Sequence, residues 1–315
     1  MFVRSLTRRV LPALLALVGL VAFAVPDLTA DAQSTKTFYL TVVDSSGQPV
    51  TDLRPDEIAV GELAEGAAAP VQREVVSFRK APTPASIVLL ADTSKATGGG
   101  SMGQRGQVQG SGLIQDVRKA FSVFVKAMSA SNPDTEMELM EFGQAAILLT
   151  RMTSSAPDLE KGINRLFPKD NQPAVLLEAI TEGARTLQKA KHPRRAIVAF
   201  QVLPTDDRSV MQPQQMLTQV INAQASFWIV VYSSGTVTAD ARGVVTNALA
   251  RQTGGRSETI AAESALELHL TNMATAIANQ YEVQYTRPAG ETPKQLVMSI
   301  GRQGLSLHHT IYPPK

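Results

Sequence analysis

Residues 86–94 are Ser-Ile-Val-Leu-Leu-Ala-Asp-Thr-Ser, SIVLLADTS. Ser86 to Ala91 is a short, almost wholly apolar run, as expected of a central strand covered by helices on both faces. Asp92, Thr93 and Ser94 follow directly. In open α/β sheets, ligands gather beyond the carboxyl ends of the strands, so this carboxylate and these hydroxyls face the mouth of the sheet. Asp92 can equally be a turn residue that carries the chain off the strand.

Downstream, strands alternate with helices as far as Asn279, the pattern of a mostly parallel sheet. Leu113, Ile114, Val117, Phe121, Phe124, Val125 and Met128 keep an apolar stripe at helical spacing. Strands are expected at 137–142, 145–150, 195–203, 226–232 and near 256–260. Further helices are expected at 175–189, 214–223, 239–252 and 264–279. Upstream, 37–43, 57–60 and 71–78 read as strands, and Ala81-Pro82-Thr83-Pro84 is a stiff connector. After Asn279 the period returns to two, giving strands at 280–287, 295–300 and 305–312. Three strands alone are marginal, so the strands of the two chain ends are expected to pair. The fold expected is α/β: a doubly wound, Rossmann-like, mostly parallel sheet inserted in a small β-sandwich-like domain built from both ends. Its boundaries are 33–82 and 280–315 for the β-domain and 83–279 for the inserted one.

Residues 1–32 read as a signal peptide. Arg4, Arg8 and Arg9 precede an apolar stretch, Leu11 to Val25, that is short for a membrane span, and Ala30-Asp31-Ala32 is a small-x-small cleavage site. An uncleaved anchor is the alternative. Cleavage removes three Arg and two Asp, taking the net charge from +2 to +1, so a secreted or periplasmic protein with no membrane span is expected. That charge and the lack of Lys/Arg runs argue against nucleic acid as a partner. With 44% apolar and 18% charged residues the chain is globular. It contains no cysteine, which excludes disulfides, thiolate catalysis and zinc–thiolate sites.

Between Ser94 and Leu113 lies a Gly-rich loop with no Gly-Lys-Ser/Thr, so it is not a phosphate loop. Gly99-Gly100-Ser101-Met102-Gly103 matches the nucleophile-elbow pattern, and a serine hydrolase using Ser101 is a remote alternative. An elbow needs a sharp strand-to-helix turn, and Ser101 stands several residues beyond the strand. A hydrolase also needs a His. His192 is expected at the opposite end of the sheet from Asp92, His269 in a helix, and His308 and His309 in the last strand. Asp206 and Asp207, just past the 195–203 strand, can approach Asp92 or cap the next helix.

The alternation, with Asp92-Thr93-Ser94 closing the first core strand, resembles a von Willebrand factor type A domain. More closely, the chain is similar to bacterial exported proteins of the von Willebrand factor A-related, Acidobacterial type. VVDSSGQPVTDLRPDEIAV (42–60), SIVLLADTS (86–94), LLEAITEGARTL (176–187), RRAIVAFQVL (194–203), LARQTGGR (249–256) and NQYEVQYTRP (279–288) carry that likeness. It implies an adhesion or protein-binding module, not an enzyme. In that family a divalent cation can be held by an Asp-x-Ser-x-Ser motif, a Thr and a further Asp, with a partner's carboxylate completing the shell. Asp92 and Ser94 match the first two positions. Ala96 stands at the second Ser, Ala174 at the Thr and Val202 at the Asp.

The resemblance therefore implies a degenerate site without cofactor, a protein ligand of unknown identity, and docking loops that include Thr93, Thr97, Ser101, Asp206 and Asp207. The alternative is a Mg²⁺- or Mn²⁺-dependent adhesin whose site is rebuilt from Asp92, Ser94, Ser101 and Asp206.

Overall fold

The chain forms a six-stranded α/β sheet from its middle and two smaller β-sheets that draw on both of its ends. The computed structural model describes residues 33–94, 97, 111–169, 172–203, 205–233 and 241–315, and Gln33–Lys315 cluster as one unit. The expected signal peptide, Ala96 and Ser101 lie outside the described residues.

Before the decisive stretch come β1 (Gln33–Val43), β2 (Ile58–Leu63), β3 (Val71–Arg73) and β4 (Val75–Lys80). The single strand expected at 71–78 is thus two. The chain changes sheets at Glu74, whose carbonyl accepts the Thr286 N–H at 3.0 Å. Such corner strands are how packed sheets are joined.

The decisive stretch is β5 (Ala85–Asp92), buried along its whole length. After it come α1 (Ser111–Ser131), β6 (Glu136–Phe142), β7 (Ala146–Thr153), α2 (Ala156–Ile163), α3 (Leu176–Gln188), β8 (Arg194–Leu203) and α4 (Pro213–Ala223). Then follow β9 (Ala225–Ser233), α5 (Ala241–Thr253), β10 (Ser257–Ile260) and α6 (Leu266–Ala278). Strand order is β10-β9-β8-β5-β6-β7, parallel apart from the antiparallel edge β7. Successive residues of β5 face opposite sides. Ile87 and Leu89 pack with α1 and α6, whereas Val88 and Leu90 pack with α3 and α4. That double burial is why the run carries no polar alternation. Helix α2 was not foreseen. Its amino end is fixed by Ser155, whose hydroxyl accepts the Asp158 N–H at 3.3 Å.

The chain returns through β11 (Tyr281–Pro288), β12 (Gln295–Ile300) and β13 (Ser306–His309). One sheet runs β13-β1-β11-β4 and the other β12-β2-β3. Phe38, Leu40 and Val42 of β1 meet Val60, Val283, Tyr285 and Leu296 in one core between them, giving the sandwich. At its heart Glu62, with a side chain that is 0% exposed, accepts hydrogen bonds from Arg287, Arg73 and Tyr285. The last strand is shorter than expected, because Ile311 turns away to donate to the Gln252 carbonyl at 2.9 Å.

The α/β layer meets this sandwich closely. Ala81 donates to the Gln280 carbonyl at 2.8 Å, so the chain leaves and re-enters the sandwich at adjacent points. At the end of α5, Gly254 has a φ of +82°, and a Cβ there would lie 2.6 Å from the His309 carbonyl carbon of β13. Only glycine permits that approach and that backbone conformation.

Candidate functional site

Asp92 ends β5 at the carboxyl edge of the sheet and is wholly buried. Its Oδ1 accepts the Ser94 N–H at 2.9 Å, and its Oδ2 accepts the Val202 N–H at 3.0 Å. One carboxylate therefore ties the loop after β5 to the end of the neighbouring β8. Burial pushes its pKa up to about 6, against the opposing pull of the nearby Ser94 hydroxyl and of these two backbone N–H groups. The negative charge of Asp207 adds a smaller push in the same direction.

The residues after Asp92 are folded inward. Thr93 donates its N–H to the Phe142 carbonyl at 2.9 Å and accepts the Lys169 N–H at 2.8 Å. Thr97 closes a turn, donating its N–H at 3.0 Å and its hydroxyl at 2.7 Å to the Ser94 carbonyl. Thr93, Ser94 and Thr97 are all fully buried, so Thr93 and Thr97, expected in a docking surface, lie beneath it. The Thr93 and Ser94 hydroxyls have no hydrogen-bond partner.

The two aspartates past β8 separate. Asp206 turns its carboxylate toward Arg208, at 3.1 Å, and its carbonyl accepts the Ala174 N–H at 2.9 Å. Asp207 is the inward one. Its side chain is 5% exposed, Oδ1 accepts the Ser209 N–H at 2.8 Å and lies 3.4 Å from Arg242, and Oδ2 has no partner. Neither caps α4, whose N-cap is Gln212. Ala174 bridges to this segment, pairing in parallel with Asp207. Glu178 pins the following turn by accepting the N–H groups of Val210 and Met211 at 2.7 and 2.9 Å. That leaves Val210 85% exposed at the rim. Beside Lys169, Phe167 is 59% exposed, with the Arg118 guanidinium 4.4 Å from its ring centre.

Sequence reasoning missed Gln201 and Glu141. Gln201 is fully buried at the end of β8 with both amide atoms unpartnered. Glu141, next to last in β6, is paired with Lys169, its Oε2 unpartnered. A lone amide within the apolar run 196–203 was the available signal. Of the four His, His192 lies at the amino end of the sheet, where its N–H meets the Ser86 hydroxyl at 3.4 Å. His269 sits in α6 beside Glu258, and His308 and His309 are in β13. Among the described residues there is no group of three or more His, Cys, Asp and Glu able to hold a metal ion.

A family model described as von Willebrand factor type A domain matches residues 86–268, more than half of the chain. The chain belongs to the von Willebrand factor type A domain family. The structure of a von Willebrand factor type A protein from Catenulispora acidiphila is similar, with 11% identity and a TM-score of 0.50 over 86% of this chain and 72% of that one. Proximal thread matrix protein 1 from the mussel byssus is also similar, with 11% identity and a TM-score of 0.50 over 67% of this chain. The alignment spans about half of that mussel chain, 49%. No curated protein matches. Together with the family match, these likenesses establish a von Willebrand A fold.

Proposed function

We propose that this von Willebrand A chain is an exported, non-enzymatic protein-interaction module that docks its ligand at the carboxyl edge of the six-stranded sheet without a bound cation. Export rests on the features of residues 1–32 and on the likeness to von Willebrand factor A-related proteins of the Acidobacterial type. No helix among the described residues is long and apolar enough to cross a membrane. The observation that carries the metal-free reading is the buried Val202 side chain beside Asp92, whose Oδ2 accepts the Val202 N–H at 3.0 Å. Val202 brings a buried apolar side chain to the position where the resemblance places the family's second aspartate, so no side-chain oxygen is offered there. Ala174 removes another oxygen. Magnesium demands a near-octahedral oxygen shell, and a positive N–H dipole beside the carboxylate competes with it.

Exposed apolar side chains at the same edge, Val210 and Phe167, supply what a protein partner would bury. Asp206 and Arg208 supply a polar rim beside them. Ser101, assigned to the same surface, lies outside the described residues.

A second reading, a divalent-cation-dependent adhesin, is favoured by the unpartnered buried oxygens of Thr93, Ser94 and Asp207. In it Asp207, rather than Asp206, is the carboxylate that faces inward. Titration with Mg²⁺ and then Mn²⁺, followed by calorimetry and by melting temperature, separates the two. The metal-free reading expects no saturable heat and no change in melting. Saturable stabilisation that disappears in Asp92→Ala would establish the cation instead.

A further inference from the structure

At the opposite end of the molecule from Asp92, a groove of about 470 Å³ runs beside β1. One of its walls is the consecutive run Thr35 to Tyr39. On its β11 side β1 is paired from Gln33 to Leu40, but on the other side β13 pairs only with Leu40 to Val43. Among the described residues, Ser34 to Tyr39 therefore has no strand on that side. In an antiparallel sheet alternate residues turn their N–H and C=O groups to each side, so this stretch presents a ladder of unused backbone groups. Its length, roughly 20 Å at about 3.4 Å per residue, matches one short strand.

The groove is also charged. Lys36, Arg194, Arg195 and Lys315 line it, against Glu282 alone among acids, and Glu282 is bound by Arg79 at 2.8 Å. Arg195 uses its guanidinium on the carbonyls of His192, Ala223 and Ala190. Arg194 is different: 4% exposed, it donates through one nitrogen to the Ile277 carbonyl at 2.9 Å, and its buried Nε has no partner. From beneath the surface its fixed positive charge adds to that of Lys36 and Lys315 at the groove.

We infer that the free edge of β1 takes up an extended, acidic segment of a partner polypeptide as an added strand, its carboxylates directed to Lys36 and Lys315. Backbone pairing gives such complexes affinity, and side-chain pockets give them selectivity. A second copy of this chain is the wrong occupant, because edge-to-edge pairing would bring the Lys36 and Arg194 charges of both copies together. The surface is separate from the one proposed at the carboxyl edge and does not depend on it.

The test uses the full chain and a dye-labelled hexapeptide of alternating Val and Glu, with the Val–Lys hexapeptide as control. Fluorescence anisotropy is expected to show saturable binding of the acidic peptide, weakened about tenfold, or 1.4 kcal/mol, by Lys36→Glu and similarly by Lys315→Glu. The Val–Lys peptide is expected not to bind. Hydrogen exchange is expected to slow at residues 34–39 when the acidic peptide is added. Absence of saturable binding, binding indifferent to both substitutions, or protection appearing only elsewhere would overturn the inference. So would edge amides already protected in the chain alone, or a sedimentation profile in which those amides become protected by self-association.

Discussion

Asp92 shows how one side chain can hold two strands and tune its own ionisation. Its ordinary pKa of 3.8 is raised to about 6 by burial. Between those values the unfolded chain has released its proton while the folded chain retains it. This contribution to stability therefore falls as the pH rises from about 4 to 6, by about 3 kcal/mol in all, and is level above that. Asp92→Asn does not titrate. Thermal melts across that range should show a shallower decline in the variant than in the parent, with or without Mg²⁺ in the buffer. Parallel curves would show that Asp92 is ionised throughout. The sequence made Asp92 legible as the last residue of a buried strand. It did not disclose that Val202 contributes its N–H, because a backbone contact across 110 positions leaves no mark in side-chain pattern. Nor could it tell Asp206 from Asp207, since which of two adjacent carboxylates faces inward depends on the pairing of Ala174 with that segment.

At the scale of elements, long periodic runs were legible and short ones were not. The stripe from Leu113 to Met128 and the run from Ser86 to Ala91 are buried as their spacing requires. Helix α2 escaped because eight residues hold only about two turns, with Leu159 and Ile163 as its large buried apolar contacts. Its start is nevertheless chemically marked. Ser155→Ala removes the acceptor for the Asp158 N–H and should cost about 1 kcal/mol, read as a lower urea midpoint at unchanged slope. An unaltered midpoint would mean that packing alone sets that boundary. The split at Glu74 was hidden for a related reason. Residues 71–78 keep strand chemistry throughout, and only the packing of two sheets decides where one strand becomes two.

For the whole molecule, pairing of the two chain ends followed from an energetic argument: three strands by themselves are marginal, and the two ends hold complementary sets. The register did not follow, because it is set by the shared core of Phe38, Val60, Tyr285 and Leu296. The pairing has a mechanical consequence. β13 lies antiparallel to β1 with His309 opposite Leu40, and the Pro314 carbonyl is held at 3.0 Å by Arg287, the residue opposite Ser34. Gln33 and Lys315 thus leave the sandwich at one end. Tension between them would open the β1–β13 ladder rung by rung, rather than shearing all its rungs together. In an optical trap gripping Gln33 and Lys315, the four residues of β13 should yield first and at low force, and a single high-force rupture would contradict this. The six-stranded sheet, looped between Ala81 and Gln280, carries load only after the sandwich has given way, so the Asp92 edge would keep its shape in a chain under strain.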